Sequence, residues 1–298
     1  MKKLILLLLL IVLMGAVGAL AASEEAFQAP AITFHQTYLN LGNQDVRDMD
    51  GLVRFLDKHP QLTKVDMYAT TLKAEDADHL AVRYPDIAFG WTLHLVDEHV
   101  IRTDATAYAI NHNNRSKEHT SEDFRNLQYC TNLKALDLGH NKITDISFLN
   151  NLQDLKVLII TCNKITDISP LANLKQLEYL ELFKNQIADM SPLAGLSNLL
   201  DLNICHNKTD DLTPLYSLKG LERLWIYNSN NYSADDPLPE GRVQALQGAL
   251  PDCYIDSTHY STLGGWRTHP RYYVVFNMLH GELAWLPWSA EGLIPRYQ

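Results

Sequence analysis

Twelve histidines, four cysteines and 35 carboxylates supply the groups for acid–base, nucleophilic or metal chemistry, so spacing has to decide whether any is used. His94 and His99 flank Asp97-Glu98, and His140 and His206 share one repeat register. A zinc site needs three or four converging ligands, announced by His-Glu-x-x-His or by paired cysteines, and the chain has neither motif. Asp235-Asp236 reads as a solvated loop. Gly-x-Ser-x-Gly, a phosphate loop and a dinucleotide fingerprint are missing, and no two carboxylates are marked by position as an acid–base pair. Arg267, His269 and Arg271 stand between Trp266 and Tyr272-Tyr273. That mixture suits an anion or glycan contact, or else a tail that caps the last repeat and hides its apolar end. The expectation is a chain without catalytic residues, metal or cofactor.

The cysteines are read as packing residues. Cys130 fills the slot taken by Leu152, Leu174, Leu196 and Leu218, and Cys253 falls at an inward place of a late strand. Cys162 and Cys205 lie two strands apart, roughly 10 Å at sheet spacing and beyond disulfide reach. Four free thiols are expected.

The elements that position all these groups come from one sentence of 22 residues written five times, beginning at Leu133, Leu155, Leu177, Leu199 and Leu221, with asparagines at 141, 163, 185 and 207. A fixed period of this length means a solenoid. In Leu-x-x-Leu-x-Leu-x-x-Asn the alternating leucines make a short strand with one face inward, and the Asn side chain bonds backbone groups left over by the next turn. The run Thr166-Asp-Ile-Ser-Pro-Leu171, with its copies at 188–193 and 209–215, turns the chain along the convex side. One unit alone exposes its apolar face, and stacking closes the core. This resembles the leucine-rich repeat family, in the 22-residue class of bacterial internalin-like proteins. The segment Gly264 to Tyr273, with Phe89-Gly-Trp91, is similar to uncharacterised secreted leucine-rich repeat proteins of clostridia. The resemblance implies an α/β solenoid with parallel strands on the concave face, helices or 3-10 turns on the convex face, and irregular N- and C-terminal caps. It brings no activity with it.

Around the repeats the chain divides into four parts. Residues 1–21 read as a secretory signal, with Lys2-Lys3, an apolar run from Leu4 and Ala19-Leu20-Ala21 as cleavage site; uncleaved, the run is long enough for a membrane anchor. Residues 30–130 carry helix-Pro-strand units: Leu52, Val53 and Leu56 before Pro60, then Ala77, Leu80, Ala81 and Tyr84 before Pro85, with a hairpin between Trp91 and Ile110. Residues 131–234 hold the regular repeats. Residues 235–298 hold a last helix on Val243, Leu246 and Leu250, a strand at Cys253-Tyr-Ile255 that ends the solenoid, and the aromatic C-terminal cap.

Charge narrows the partners. Loss of Lys2 and Lys3 with the signal takes the formal charge from −10 to −12, and so acidic a surface repels phosphate backbones, which argues against nucleic acid. Membrane contact is expected only through an uncleaved signal. Outward positions along the copies run Ala135, Asp137, Gly139; Val157, Ile159, Thr161; Tyr179, Glu181, Phe183; Asp201, Asn203, Cys205; and Arg223, Trp225, Tyr227. Small residues give way to aromatics and charges, so Tyr179, Glu181, Phe183, Asp201, Asn203, Arg223, Trp225 and Tyr227 form the candidate ligand site; the same aromatics would also suit a face covered by the tail. Asn207 lies in the buried ladder, so its Asn-x-Thr match is no glycan site, while Asn114 and Asn231 are free of that constraint. The function expected is a secreted or surface-exposed binding module for a protein or glycan ligand. Its alternatives are an enzyme sited in the terminal segments, recognisable by a deep pocket joining His269, Arg271 and a carboxylate, and a structural envelope component.

Overall fold

The computed structural model describes residues 33–34, 36–95, 99–110, 119–227, 240–258 and 265–280, in two compact units divided between Thr103 and Asp104. Residues 1–21, read as a signal, the hairpin tip at 96–98, Asn114, Asn231, Asp235-Asp236, and Trp285 with Trp288 lie outside the described residues.

In the first unit, helix α1 (Met49–Asp57) starts where the Asp48 carboxylate accepts the Gly51 N–H at 2.8 Å, which satisfies one of the donors a helix start leaves open. It buries Leu52, Phe55 and Leu56 and stops short of Pro60. Helix α2 (Ala74–Arg83) buries Ala77 and Leu80, but leaves Ala81 exposed, so the expected four-residue stripe is narrower. Between and after them lie β3 (Lys64–Thr71) and β4 (Ala88–His94), which pair in parallel. Two antiparallel additions flank these: β1 (Thr33–Phe34) on β2 (Tyr38–Asn40), and β5 (Val100–Arg102) on β4. Gly90 allows a close approach here, since a Cβ would lie 2.5 Å from the Tyr68 ring, whose face carries the Arg102 guanidinium at 3.7 Å.

The expected hairpin forms over Thr92 to Arg102 and then stops. Its second run divides, because β6 (Ala107–Ala109) pairs in parallel with β7 (Ala135–Asp137) in the second unit. The division between the compact units at 103/104 falls upstream of the first full repeat, because the strand that opens the second sheet precedes it.

The second unit is the solenoid. Strands β7, β8 (Val157–Ile159), β9 (Tyr179–Glu181), β10 (Asp201–Asn203), β11 (Arg223–Trp225) and β12 (Tyr254–Asp256) follow β6 in an all-parallel sheet of seven, ordered as in the sequence. Leu136, Leu158, Leu180, Leu202 and Leu224 point inward from the strand centres and are fully buried. Opposite the strands, 3-10 turns occupy Ser147–Asn151, Ser169–Asn173, Ser191–Leu193 and Thr213–Ser217, preceded in the chain by the short helix α3 (Ser121–Phe124) and followed by α4 (Glu240–Ala249). Each opens where an Asp two residues before the first turn position accepts that residue's backbone N–H: Asp145 from Ser147, Asp167 from Ser169, Asp189 from Ser191 and Asp211 from Thr213, at 2.8–2.9 Å. These bonds hold the Asp167 and Asp211 carboxyls below the usual carboxylate range.

The asparagine ladder is formed as spacing predicts. Asn185 Oδ1 accepts the Ile165 N–H at 3.1 Å, while its Nδ2 donates to the Ile160 and Leu182 carbonyls at 2.9 and 3.0 Å, tying its own unit to the preceding one. Asn163 and Asn207 repeat the arrangement. The residue before each asparagine, His140, Cys162, Lys184 and His206, has φ between 54 and 59°. This left-handed geometry aims the asparagine inward, and no glycine stands there to relieve it.

Candidate functional site

The register places the predicted outward residues in rows across the sheet. Ala135, Val157, Tyr179, Asp201 and Arg223 align, as do Asp137, Ile159, Glu181, Asn203 and Trp225. The eight candidate residues are thus brought together, but they are not open. Tyr179, Glu181, Asp201, Asn203, Arg223, Trp225 and Tyr227 are all buried, and Phe183 is partly buried.

What covers them is the C-terminal segment, one of the two states that the aromatic composition allowed. From Gly265 the chain runs back across the sheet face, and helix α5 (Pro270–His280) packs on β6 and β7. Trp266, fully buried, lies edge-to-face with Trp225 at 5.3 Å and tilted against Tyr179 at 5.5 Å. Its indole N–H donates to Glu181 Oε1 at 2.9 Å. Further along, Val275 and Leu279 pack among Ala107, Ala135, Val157 and Ile159. The gradient from small to aromatic outward residues has a structural cause: alanine and valine leave room for a helix, and the aromatics receive a single indole.

Charge is matched across the same junction. Arg271, 1% exposed, donates to Asp201 Oδ2 at 2.8 Å and to Glu222; Asp201 Oδ1 accepts Arg223 Nε at 2.6 Å. Burial disfavours the charged form of Arg271, but the two carboxylates outweigh it and its affinity for a proton rises. The Arg223 guanidinium also lies over the Trp266 ring at 4.6 Å, a cation–π contact. Beside this, the Tyr179 hydroxyl donates to Glu181. Burial raises the Glu181 carboxyl above its ordinary value despite those two donors, and burial with the adjacent carboxylate pushes the Tyr179 phenol well up. At this junction Asn203 Nδ2, Arg223 Nη2, Trp225 Nε1 and Arg271 Nε are buried without an acceptor among the described residues.

Beside the junction is an open cleft of about 490 Å³ lined by Glu222, Arg223, Trp225, Tyr254, Gly265, Thr268, His269 and Pro270. Burial and the Arg223 charge push the His269 imidazole below its usual range, and its Nδ1 accepts the Arg271 N–H at 3.2 Å. The Thr268 hydroxyl donates to the Gly265 carbonyl at 2.9 Å. The His269 imidazole and the Glu222 carboxylate share a wall, while Arg271 turns away into its ion pairs. Among the described residues no three His, Cys, Asp or Glu side chains are grouped to hold a metal ion, and no helix is long and apolar enough to cross a membrane. Asn207 is buried in the ladder, as its position predicts, and the four cysteines are free thiols.

The sequence pattern gave the rows and left two states of them open, free for a ligand or covered by the tail. Spacing does not give the route of that cover, because the repeat period does not connect the small outward residues at one end with the aromatic-basic tail.

Residues 131–173 and 175–217 match two copies of the family model described as Leucine Rich repeats. No curated protein matches the chain. Among solved structures it is similar to an internalin (inlF) from Listeria monocytogenes, with 27% identity over 53% of this chain and 50% of that one and a TM-score of 0.37. It is also similar to internalin C2 of the same organism, with 24% identity over 74% and 80% and a TM-score of 0.39. A functional domain of InlJ, again from Listeria monocytogenes, shows 19% identity over 64% and 48% and a TM-score of 0.34. The chain spans about half the length of the first of these.

Proposed function

Residues 131–217 are leucine-rich repeats, and from that premise we propose that the chain is an exported binding module that holds a protein ligand by its concave sheet face and carries out no reaction. One observation supports this reading above others: the face already holds a peptide segment in cis, through an indole, a buried arginine and two apolar side chains seated in complementary places. A surface that orders Trp266, Arg271, Val275 and Leu279 has the composition of a protein-recognition site, with aromatic anchors and an arginine at its centre. Export rests on the Lys2-Lys3 start and the apolar run that follows it. The sites are those read from the register: Tyr179, Glu181, Phe183, Asp201, Asn203, Arg223, Trp225 and Tyr227.

The test is a titration of the full-length protein against a panel of purified extracellular proteins and glycans. A saturable protein ligand is expected whose affinity falls about tenfold or more with Asp201→Ala and stays level with Lys164→Glu, on an exposed residue beyond the strands. Equal losses for both variants would place the contact elsewhere, and a glycan as the saturable ligand would replace the protein reading.

A further inference from the structure

The cis segment also describes what it excludes. The solenoid does not depend on residues 265–280 for its own core: the leucines of β7 to β11, the asparagine ladder and the strand pairing all lie behind or within the sheet. Lifting the segment would uncover an apolar floor of Ala135, Val157, Ile159, Tyr179 and Trp225, set with the carboxylates of Asp137, Glu181 and Asp201 against one guanidinium, Arg223. Such a floor in a chain of net charge −10 favours a basic occupant and rejects an acidic one. The occupant now present has that chemistry: an indole, an arginine five residues on, and Val275 and Leu279 four and eight residues after the arginine, the spacing of one helix face.

The fit is incomplete. Asn203 Nδ2 and Trp225 Nε1 belong to directly paired residues on neighbouring strands, and with Arg223 Nη2 they are buried on the floor without an acceptor. Native structures leave few such groups, and a ligand bringing oxygen acceptors to this place would satisfy what the cis segment does not.

Building on the binding-module reading, we propose that residues 265–280 are an exchangeable intrachain occupant, and that the partner is a basic amphipathic helix of another protein carrying an aromatic residue, an arginine five positions later, and hydrogen-bond acceptors for Asn203 and Trp225. The partner competes with the segment for one face, so binding is coupled to its displacement.

The probe is a fluorescent synthetic peptide of residues 265–280, titrated by anisotropy into full-length protein and into Arg271→Ala, which weakens the cis occupant. The variant should bind the peptide about tenfold or more tighter than the parent, and a peptide carrying Trp266→Ala and Arg271→Ala should lose that binding. A folded Arg271→Ala protein that ignores the peptide would overturn the proposal. Should Arg271→Ala not fold, hydrogen exchange on the unaltered protein decides: amides of α5 should exchange at least about tenfold faster than those of β8 to β10, and equal protection would make the segment a permanent part of the core. Concentration-dependent dimers of the parent that the free peptide dissolves would seat a second copy's own segment there and overturn a separate partner. Failure of the peptide while another ligand binds Asp201-dependently would sink this inference alone, whereas no ligand for either protein would sink the binding-module reading beneath it.

Discussion

Asn185 and Lys184 are adjacent, yet they answer to different physics. Asn185→Ala leaves the Ile165 N–H and two carbonyls without their partner and should cost about 1–3 kcal/mol. Lys184 is exposed with φ 56°, so Lys184→Ala should stay within about 0.5 kcal/mol, whereas Lys184→Gly should raise stability by about 0.5 kcal/mol because only glycine adopts that backbone freely. Urea midpoints check the order, and a stabilised Ala variant would contradict it. The asparagines were legible from spacing alone; the left-handed residues beside them were not, because His140, Cys162, Lys184 and His206 share no chemistry that marks them. Glu181 gives a second residue-scale expectation. Its carboxyl is raised above the ordinary 4.5 by burial, so the folded chain holds that proton more tightly than the unfolded one. Stability from this group is therefore present at low pH and declines as pH rises from about 4.5 through the raised value. Relative to Glu181→Gln, which cannot ionise, the parent should lose ground across that window, and a gap between the two melting temperatures that stays constant or moves the other way would refute the assignment.

At the scale of elements, strand register was written plainly in the chain and helix placement was not. A period of 22 sets which residues of β7 to β11 lie side by side, and every pairing follows it. Helix α5 has no period and contacts residues far earlier in the chain, so only packing locates it. Its seat depends on small side chains, above all Ala107 and Ala135. Ala135→Phe should therefore cost about 1–3 kcal/mol through overpacking and release α5, seen as new proteolytic cleavage within 265–280 while the repeats remain intact. Cleavage confined to the repeats would mean that the helix and the strands hold each other up. Trp225→Ala is a packing change at the same junction, with a cost of about 3–5 kcal/mol, because Trp225 is 2% exposed between Tyr254 and Trp266.

For the molecule as a whole, the cysteines report on whether the solenoid is closed along its length. Burial pushes the thiols of Cys130, Cys205 and Cys253 up to about 12, and that of Cys162, partly exposed, is raised too. All four are protonated and slow at neutral pH, since the thiolate is the reactive form. A thiol reagent should find at most one cysteine in the native protein and four after denaturation; fast reaction of two or more in the native state would show an open core. The route of the C-terminal segment has one more implication, for how such a chain can change over generations. Solenoids ordinarily lengthen or shorten by whole units, because each unit touches only its neighbours. Here Trp266 reaches β9 and β11, Arg271 reaches β10, and α5 ends its path on β6 and β7. One duplicated unit inserted after β7 would move those seats apart by about 4.8 Å, roughly three residues of helix rise, so Trp266 and Arg271 could keep their partners only if Val275 and Leu279 lost theirs. The tail thus acts as a gauge for the array, and a gain or loss of one repeat would have to arrive together with a longer or shorter helix.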